Sequence, residues 1–348
     1  STKTMMMLLY VCCACAVHAP SMRCRLPLPR AFMCATSAAL PLASGANLNE
    51  ETALGTGCIQ HKRLSEPEAL TLKLLEWPML SMQVSKLAST PRGEAVAMAG
   101  LALPATQAES ELLQAETSEA YRMEQMLARP LLLRGFGDIA PLASLAAKGA
   151  TLTGKDLALI ASSLVTASVL VRKLKEAELS LLPALFESVP LQATLRLRIN
   201  EAVDESGEVR DTAAEALSEI RFAKRELSSA IKRELASIIQ SRSDALATRT
   251  VTIRAERYVL QVVAKQRHRI PGVVRDVSGS GLTLFIEPKE VEPANTKLRQ
   301  LAKREAAVVT AVLKSLSQHV GQPKVVSELL ELADAVLRVD MAAARARY

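Results

Sequence analysis

The hydrophobic positions of the chain fall into two regimes. Over most of its length they recur every three or four residues, the spacing of one helix face. Between residues 249 and 295 they alternate instead. Val251 and Ile253 are interleaved with Thr and Arg, Tyr258 to Val263 is a β-branched and aromatic run, and Gly272-Val273-Val274 and Leu282 to Ile286 follow. Asp276 and the turn Ser278-Gly279-Ser280-Gly281 separate the last two runs, and such turn residues accept positive φ at little steric cost. The pattern predicts four short strands inserted between two long helices.

The helices announce themselves by their caps. Ser65-x-x-Glu68 with Pro67 reads as a capping box, followed by Leu70, Leu72, Leu74, Leu75 and Trp77, with a kink expected at Pro78. Thr106-x-x-Glu109 opens a second helix with Leu112, Leu113 and Tyr121 on its apolar positions. Arg134 to Asp138 reads as a loop, and Asp156 to Glu176 as a helix carrying Leu157, Ile160, Leu164, Val165 and Leu170.

After the turn Asp204 to Asp211, Thr212-x-x-Glu215 caps a long helix whose apolar residues are Leu217, Ile220, Leu227, Ile231, Leu235 and Ile238. Running to about Ala247, it would be about 50 Å long at 1.5 Å per residue. Val291 to Gln318, with Leu298, Leu301, Val308, Val312 and Leu316, is its expected antiparallel mate. The expected fold is mainly α: a helical core, long antiparallel coiled-coil lever helices, and a small β-rich clamp module between them. The expected divisions are a leader over 1–60, a helical core and lever base over 61–203, the outgoing lever over 204–248, the β-rich module over 249–288 and the returning arm over 289–348.

Composition agrees with a helical chain. It is 49% hydrophobic and 3% aromatic, with Leu and Ala, both strong helix formers, prominent. The body has no run of 18 uninterrupted apolar residues, so no membrane span is expected there. Net charge is +7, but Lys3, Arg23, Arg25 and Arg30 supply four of these charges before the first acid, Glu50. The basic balance therefore belongs largely to the leader and does not make the body a nucleic-acid binder. That leader joins a short apolar core, Met5 to Ala19, to an acid-free stretch rich in Ser, Ala and Pro. Signal followed by transit-like sequence is similar to the bipartite leaders of plastids acquired by secondary endosymbiosis. The expected location is a plastid, with another organelle or the cytoplasm as alternatives.

Little in the chain has the pattern of a catalytic or metal site. Cys12, Cys13, Cys15, Cys24, Cys34 and Cys58 are all early and lack a partner pair at zinc spacing. His18, His61, His268 and His319 are scattered, and no catalytic or metal role is expected for them. Gly149 to Lys155 matches GxxxxGK, but Asp156 stands where the phosphate loop needs Ser or Thr for Mg²⁺. A helix start with Thr153 as N-cap is the expectation there. One cluster does suggest a ligand: Lys265, Arg267, His268 and Arg269, with Arg275 nearby. Like charges gathered in a loop repel, and a phosphate backbone would relieve them.

The stretch Thr250-Val-Thr-Ile-Arg254, Arg257-Tyr-Val-Leu260, Arg269-Ile-Pro-Gly-Val-Val274, Asp276-Val-Ser278, Ser280-Gly281 and Thr283-Leu-Phe-Ile-Glu-Pro288 resembles the clamp segment of the MutS family, type two. Val203 to Asp211 is similar to the turn before that family's long helix. Leu75-Glu76, Gly149 to Leu157, Asn295, Leu298 to Glu305 and Ala344 to Tyr348 extend the resemblance over roughly 70–348. Four positions depart from it. Gln261 stands where Pro is usual, Val263 where Lys is common, Arg275 for a usual His and Glu256 for a usual turn Gly.

The resemblance implies a homodimer of levers and clamps that handles branched or mismatched DNA, or stalled ribosomes through ribosomal RNA. It also implies ATPase and often endonuclease activity. ATP and Mg²⁺ are expected only with a C-terminal domain that the family carries beyond Tyr348, so no cofactor is expected in these residues, and no membrane partner. A truncated gene model or fragment is one expectation. The alternative function is a stand-alone coiled-coil adaptor or dimerisation protein without ATPase activity.

Overall fold

The structure is a computed structural model and describes residues 66–348. The leader, the six cysteines, His18, His61 and the cap at Ser65 lie outside the described residues. The described chain is mainly helical, with one four-stranded antiparallel sheet.

The first two helices are α1 (Glu66–Leu74) and α2 (Trp77–Ser85). The break falls at Glu76, which takes a left-handed conformation (φ 53), so that Pro78 sits in the first turn of α2. A proline suits a first turn because its missing N–H has no partner to lose there. Next come α3 (Pro91–Ala99) and α4 (Gln107–Leu127). Thr106 caps α4 by accepting from the Glu109 amide. Of the apolar positions named for it, Leu112 and Tyr121 are exposed. The elements α5 (Ala140–Ala147), α6 (Gly154–Glu176), α7 (Leu181–Ala184) and α8 (Ala193–Ala202) complete the base.

Thr153 and Asp156 form a reciprocal capping box at the start of α6. Gly154 there lies against the turn at Gly207: a Cβ on Gly154 would meet the Gly207 carbonyl oxygen at 1.9 Å. Only glycine permits that approach. Among the described helices α6 alone is long and apolar enough to cross a membrane, and half of its most apolar window is buried. Its Leu157, Ile160, Leu164 and Leu170 belong to the core of the base.

The outgoing long helix is α9 (Glu215–Ser241), shorter at both ends than the pattern suggests. Asp211–Ala213 forms a 3-10 turn, Thr212 makes no capping bond, and Ala214 is the N-cap. Asp211 instead accepts from Arg221. At the far end Ala245 and Leu246 are drawn into the apolar cluster under the sheet, which ends the helix early. The 27 residues of α9 span about 40 Å.

The returning arm is two helices, α10 (Glu292–Val320) and α11 (Pro323–Arg347), parted at Gly321. A Cβ on Gly321 would strike the Ala146 carbonyl oxygen at 2.4 Å. The second of the two is a core element: Leu329, Leu332, Val336, Val339 and Ala342 to Ala344 are buried against the base.

Side chains pair α9 and α10 in antiparallel sense. Arg221 and Lys224 meet Glu305 near the base, while Ile238 and Val291 share a cluster at the other end. Apolar residues are buried at both ends of the pair. Leu217 joins the core of the base, and Ile231, Leu235 and Ile238 join the core of the sheet. Between them the helices are joined by ions. Burial pushes the Glu305 carboxyl up, but the hydrogen bonds from Lys224 and Arg221 outweigh it and hold the group below its ordinary value.

Candidate nucleic-acid interface

The sheet is built from β1 (Leu246–Arg254), β2 (Arg257–Val263), β3 (Gly272–Val277) and β4 (Thr283–Pro288), in the order β1-β2-β4-β3. Alternation puts Leu260, Val262 and Ile286 on the face that meets Ile231, Leu235 and Val291 of the helices. Each such buried side chain contributes roughly 1.5–3 kcal/mol. The opposite face carries Thr252 bonded to Gln261 at 2.9 Å and the Arg254 guanidinium stacked 4.6 Å from the Phe285 ring centre.

Because β2 and β3 both pair antiparallel with β4, they run parallel to each other with β4 between them. Such an arrangement needs a crossover. The 3-10 segment Ala264–Arg269 supplies it. Its ends are pinned, Ala264 by donating to the Leu282 carbonyl (3.0 Å) and Ile270 by burial in the sheet core. Between the pins Lys265, Arg267, His268 and Arg269 are exposed. The run is thus displayed on a short, anchored crossover beside the C-terminal end of α9. Arg269 pairs with Asp244, and Arg242 at that helix end donates to the Arg269 carbonyl at 2.9 Å. Among the described residues, Lys265 and Arg267 show no ion pair.

Arg275 is placed differently. The register of β3 slips between Val274 and Asp276, so Arg275 is the extra residue of a bulge. Its guanidinium turns onto Glu287, which is fully buried and also receives Arg257 at 2.7 Å; the Arg275–Glu287 distance is 2.6 Å. Arg275 therefore locks three strands together and is not grouped with the crossover cations. Two further cations join the region that the linear run did not point to. One is Arg242, hidden in a helical pattern. The other is exposed Arg249, which sits where β1 loops away from β2 between Leu246 and Val251. No group of three or more His, Cys, Asp or Glu among the described residues could hold a metal ion.

The helices, the crossover and the strand order define a stretch whose relatives can be compared directly. The chain is 33% identical over 279 residues to a protein named Endonuclease MutS2 from Synechocystis, covering 80% of this chain and 34% of that protein. It is 36% identical over 280 residues to an Endonuclease MutS2 from Symbiobacterium thermophilum, covering 80% and 35%. For the one from Thermus thermophilus the figures are 32% over 278 residues, 79% and 36%.

This chain belongs to the type-two MutS family.

It spans about a third of the length of the relatives it matches. No protein-family profile matches the chain. Membership sets the adaptor alternative aside as the less favoured reading.

Proposed function

We propose that this chain is the lever-and-clamp portion of a type-two MutS protein and that it grips a phosphate backbone with the crossover cations Lys265, Arg267 and Arg269. In this reading α9 and α10 are coiled-coil levers, the protein works as a homodimer, and the backbone is that of DNA or ribosomal RNA. The observation that carries it is the anchored crossover: three cations and His268 are held exposed on a segment pinned at Ala264 and Ile270. Cations held ready in this way bind phosphates with little ordering cost. The relatives' name, Endonuclease MutS2, is consistent with a nucleic-acid substrate. ATP and Mg²⁺ chemistry falls outside the described residues in this proposal. Its support is that Asp156 is spent in a capping box and Gly154 is packed against Gly207.

The test is a salt titration of binding to a 20-base-pair DNA duplex and to a matched RNA hairpin. Each lost phosphate contact flattens the log–log salt slope on duplex DNA by about 0.9. Replacing Lys265, Arg267 and Arg269 by Ala should therefore flatten it by roughly two to three units. An unchanged slope in a folded variant would sink the reading. The arm with the larger change identifies the backbone.

A further inference from the structure

The β1–β2 hairpin leans over the middle of the α9–α10 pair and borders an open cleft of roughly 590 Å³. We propose that this cleft binds a phosphorylated nucleoside unit, either a free nucleotide or the terminal nucleotide of a strand. The site is separate from the crossover, which packs against the end of α9 at Arg242, about 15 Å along the helix from Lys232.

Charge is the first argument. Lys224, Arg225, Lys232 and Arg299 line the cleft against a single carboxylate, Glu256. Two of the cations are committed, Lys224 to Glu305 and Arg299 to Glu256 at 3.2 Å. The other two are held more loosely. Arg225 is 64% exposed, with its carboxylate contact, Asp211, at 3.9 Å. Lys232 is exposed and shows no ion pair among the described residues; its ammonium sits 5.9 Å from the centre of the Tyr258 ring. Arg225 and Lys232 lie seven residues apart, two turns along one face of α9 and about 10 Å from each other. Ser228 lies between them and shares a 2.6 Å hydrogen bond with the Tyr258 hydroxyl. The face thus offers one unpaired cation and one loosely paired, with a hydroxyl pair between, a set of donors suited to phosphate oxygens.

Shape and polarity are the second argument. The rest of the lining is apolar. It includes the Tyr258 ring, Leu298 and Ile253, which is 55% exposed. A base stacks or packs on such surface without regard to its identity. A bare anion would leave the apolar wall unused, and an uncharged apolar ligand would leave Lys232 and Arg225 facing it. A nucleoside phosphate uses both. Glu256 stands at the hairpin tip as the one group that opposes it, so its removal should improve binding.

The experiment uses the full chain and calorimetry at low salt with four probes: thymidine monophosphate, a 5′-phosphorylated thymidine dinucleotide, the same dinucleotide without that phosphate, and inorganic pyrophosphate. The first two should bind, with affinity about tenfold above the unphosphorylated dinucleotide. Lys232→Ala should weaken both by about tenfold and Glu256→Gln should tighten both. Melting followed by circular dichroism checks that each variant is folded; Lys232 is exposed, so its replacement should not alter the melt. Tighter binding of the monophosphate assigns the site to free nucleotides, tighter binding of the dinucleotide to strand ends. The proposal is overturned if neither phosphorylated probe binds, if both variants leave the affinities unchanged, or if pyrophosphate binds as tightly as the monophosphate. The Lys265, Arg267 and Arg269 triple variant should bind these probes as wild type does, so failure of the backbone grip and failure of this site are read separately.

Discussion

Asn295 holds the backbone of Tyr258 at both of its polar groups: its Oδ1 accepts from the Tyr258 amide at 3.1 Å and its Nδ2 donates to the Tyr258 carbonyl at 3.0 Å. Asn295 is fully buried in the first turn of α10, and Tyr258 lies in β2. One side chain therefore fastens the returning helix to a strand of the sheet. Asn295→Ala removes both bonds and leaves the half-buried Tyr258 amide and carbonyl unmet, each costing about 1–3 kcal/mol. Chemical denaturation should show a loss of about 2–5 kcal/mol, and amide exchange at Tyr258 should accelerate.

Arg275 and Arg267 should separate by assay. Arg275→Ala leaves buried Glu287 with Arg257 as its remaining ion-pair partner, a loss of about 1–3 kcal/mol in stability. It should leave the salt slope of nucleic-acid binding unchanged. Arg267→Ala should do the reverse, with stability within about 0.5 kcal/mol of wild type and a slope flatter by about 0.9. Denaturation and binding titrations on the two variants decide the point.

The β1–β2 hairpin turns through Ala255 and Glu256, both left-handed, with φ of 47 and 59. Two-residue hairpins prefer Asn-Gly at such positions, and an L-residue with a Cβ costs roughly 1–2 kcal/mol there. Ala255→Asn keeps Glu256 and its contact with Arg299, and should raise stability by about 0.5–1 kcal/mol. A thermal melt that stays put or falls would count against strain at this turn.

The Glu305 carboxyl is held below its ordinary value by Lys224 and Arg221 despite its burial. A carboxylate whose folded pKa is depressed stabilises the fold fully above the ordinary range, and the contribution fades as pH falls through the folded value. Glu305→Gln should therefore lower stability by about 1–3 kcal/mol at pH 7. The gap from wild type should narrow as pH drops below the ordinary glutamate value of 4.5. A gap that is constant from pH 7 to pH 3 would show that the ion network contributes nothing.

The sequence pattern carries the strands and the stripe of α9 well, because alternation and helical spacing are local signals. Val251, Leu260 and Ile286 face the core as their period requires. What lies outside local pattern is the strand order. Placing β4 between β2 and β3 turns a basic run into a crossover, and nothing in the letters 264–271 states that. Arg275 looks like a member of the basic run until the bulge in β3 aims it at Glu287. The early end of α9 has a related cause: burial of Ala245 and Leu246 under the sheet is a tertiary effect that overrides their helix propensity. In the candidate site, the grouping of Lys265, Arg267, His268 and Arg269 is visible in the sequence, and the structure adds that all four are exposed. Arg242 was not, since it continues a helical stretch and is brought alongside through the Arg269 carbonyl.

The sheet and its crossover leave the helical hairpin at Ser241 and rejoin it at Glu292, and Ile238 and Val291 on either side of those points share one cluster. The whole β-module is in effect a cassette whose two ends are neighbours. Chain closure for everything inside it is fixed by the pairing of α9 with α10, so its internal length is free to change at little entropic cost. Modules of different size or charge can then be exchanged at this tip while the base, with its own core around Leu157 and Leu332, stays as it is.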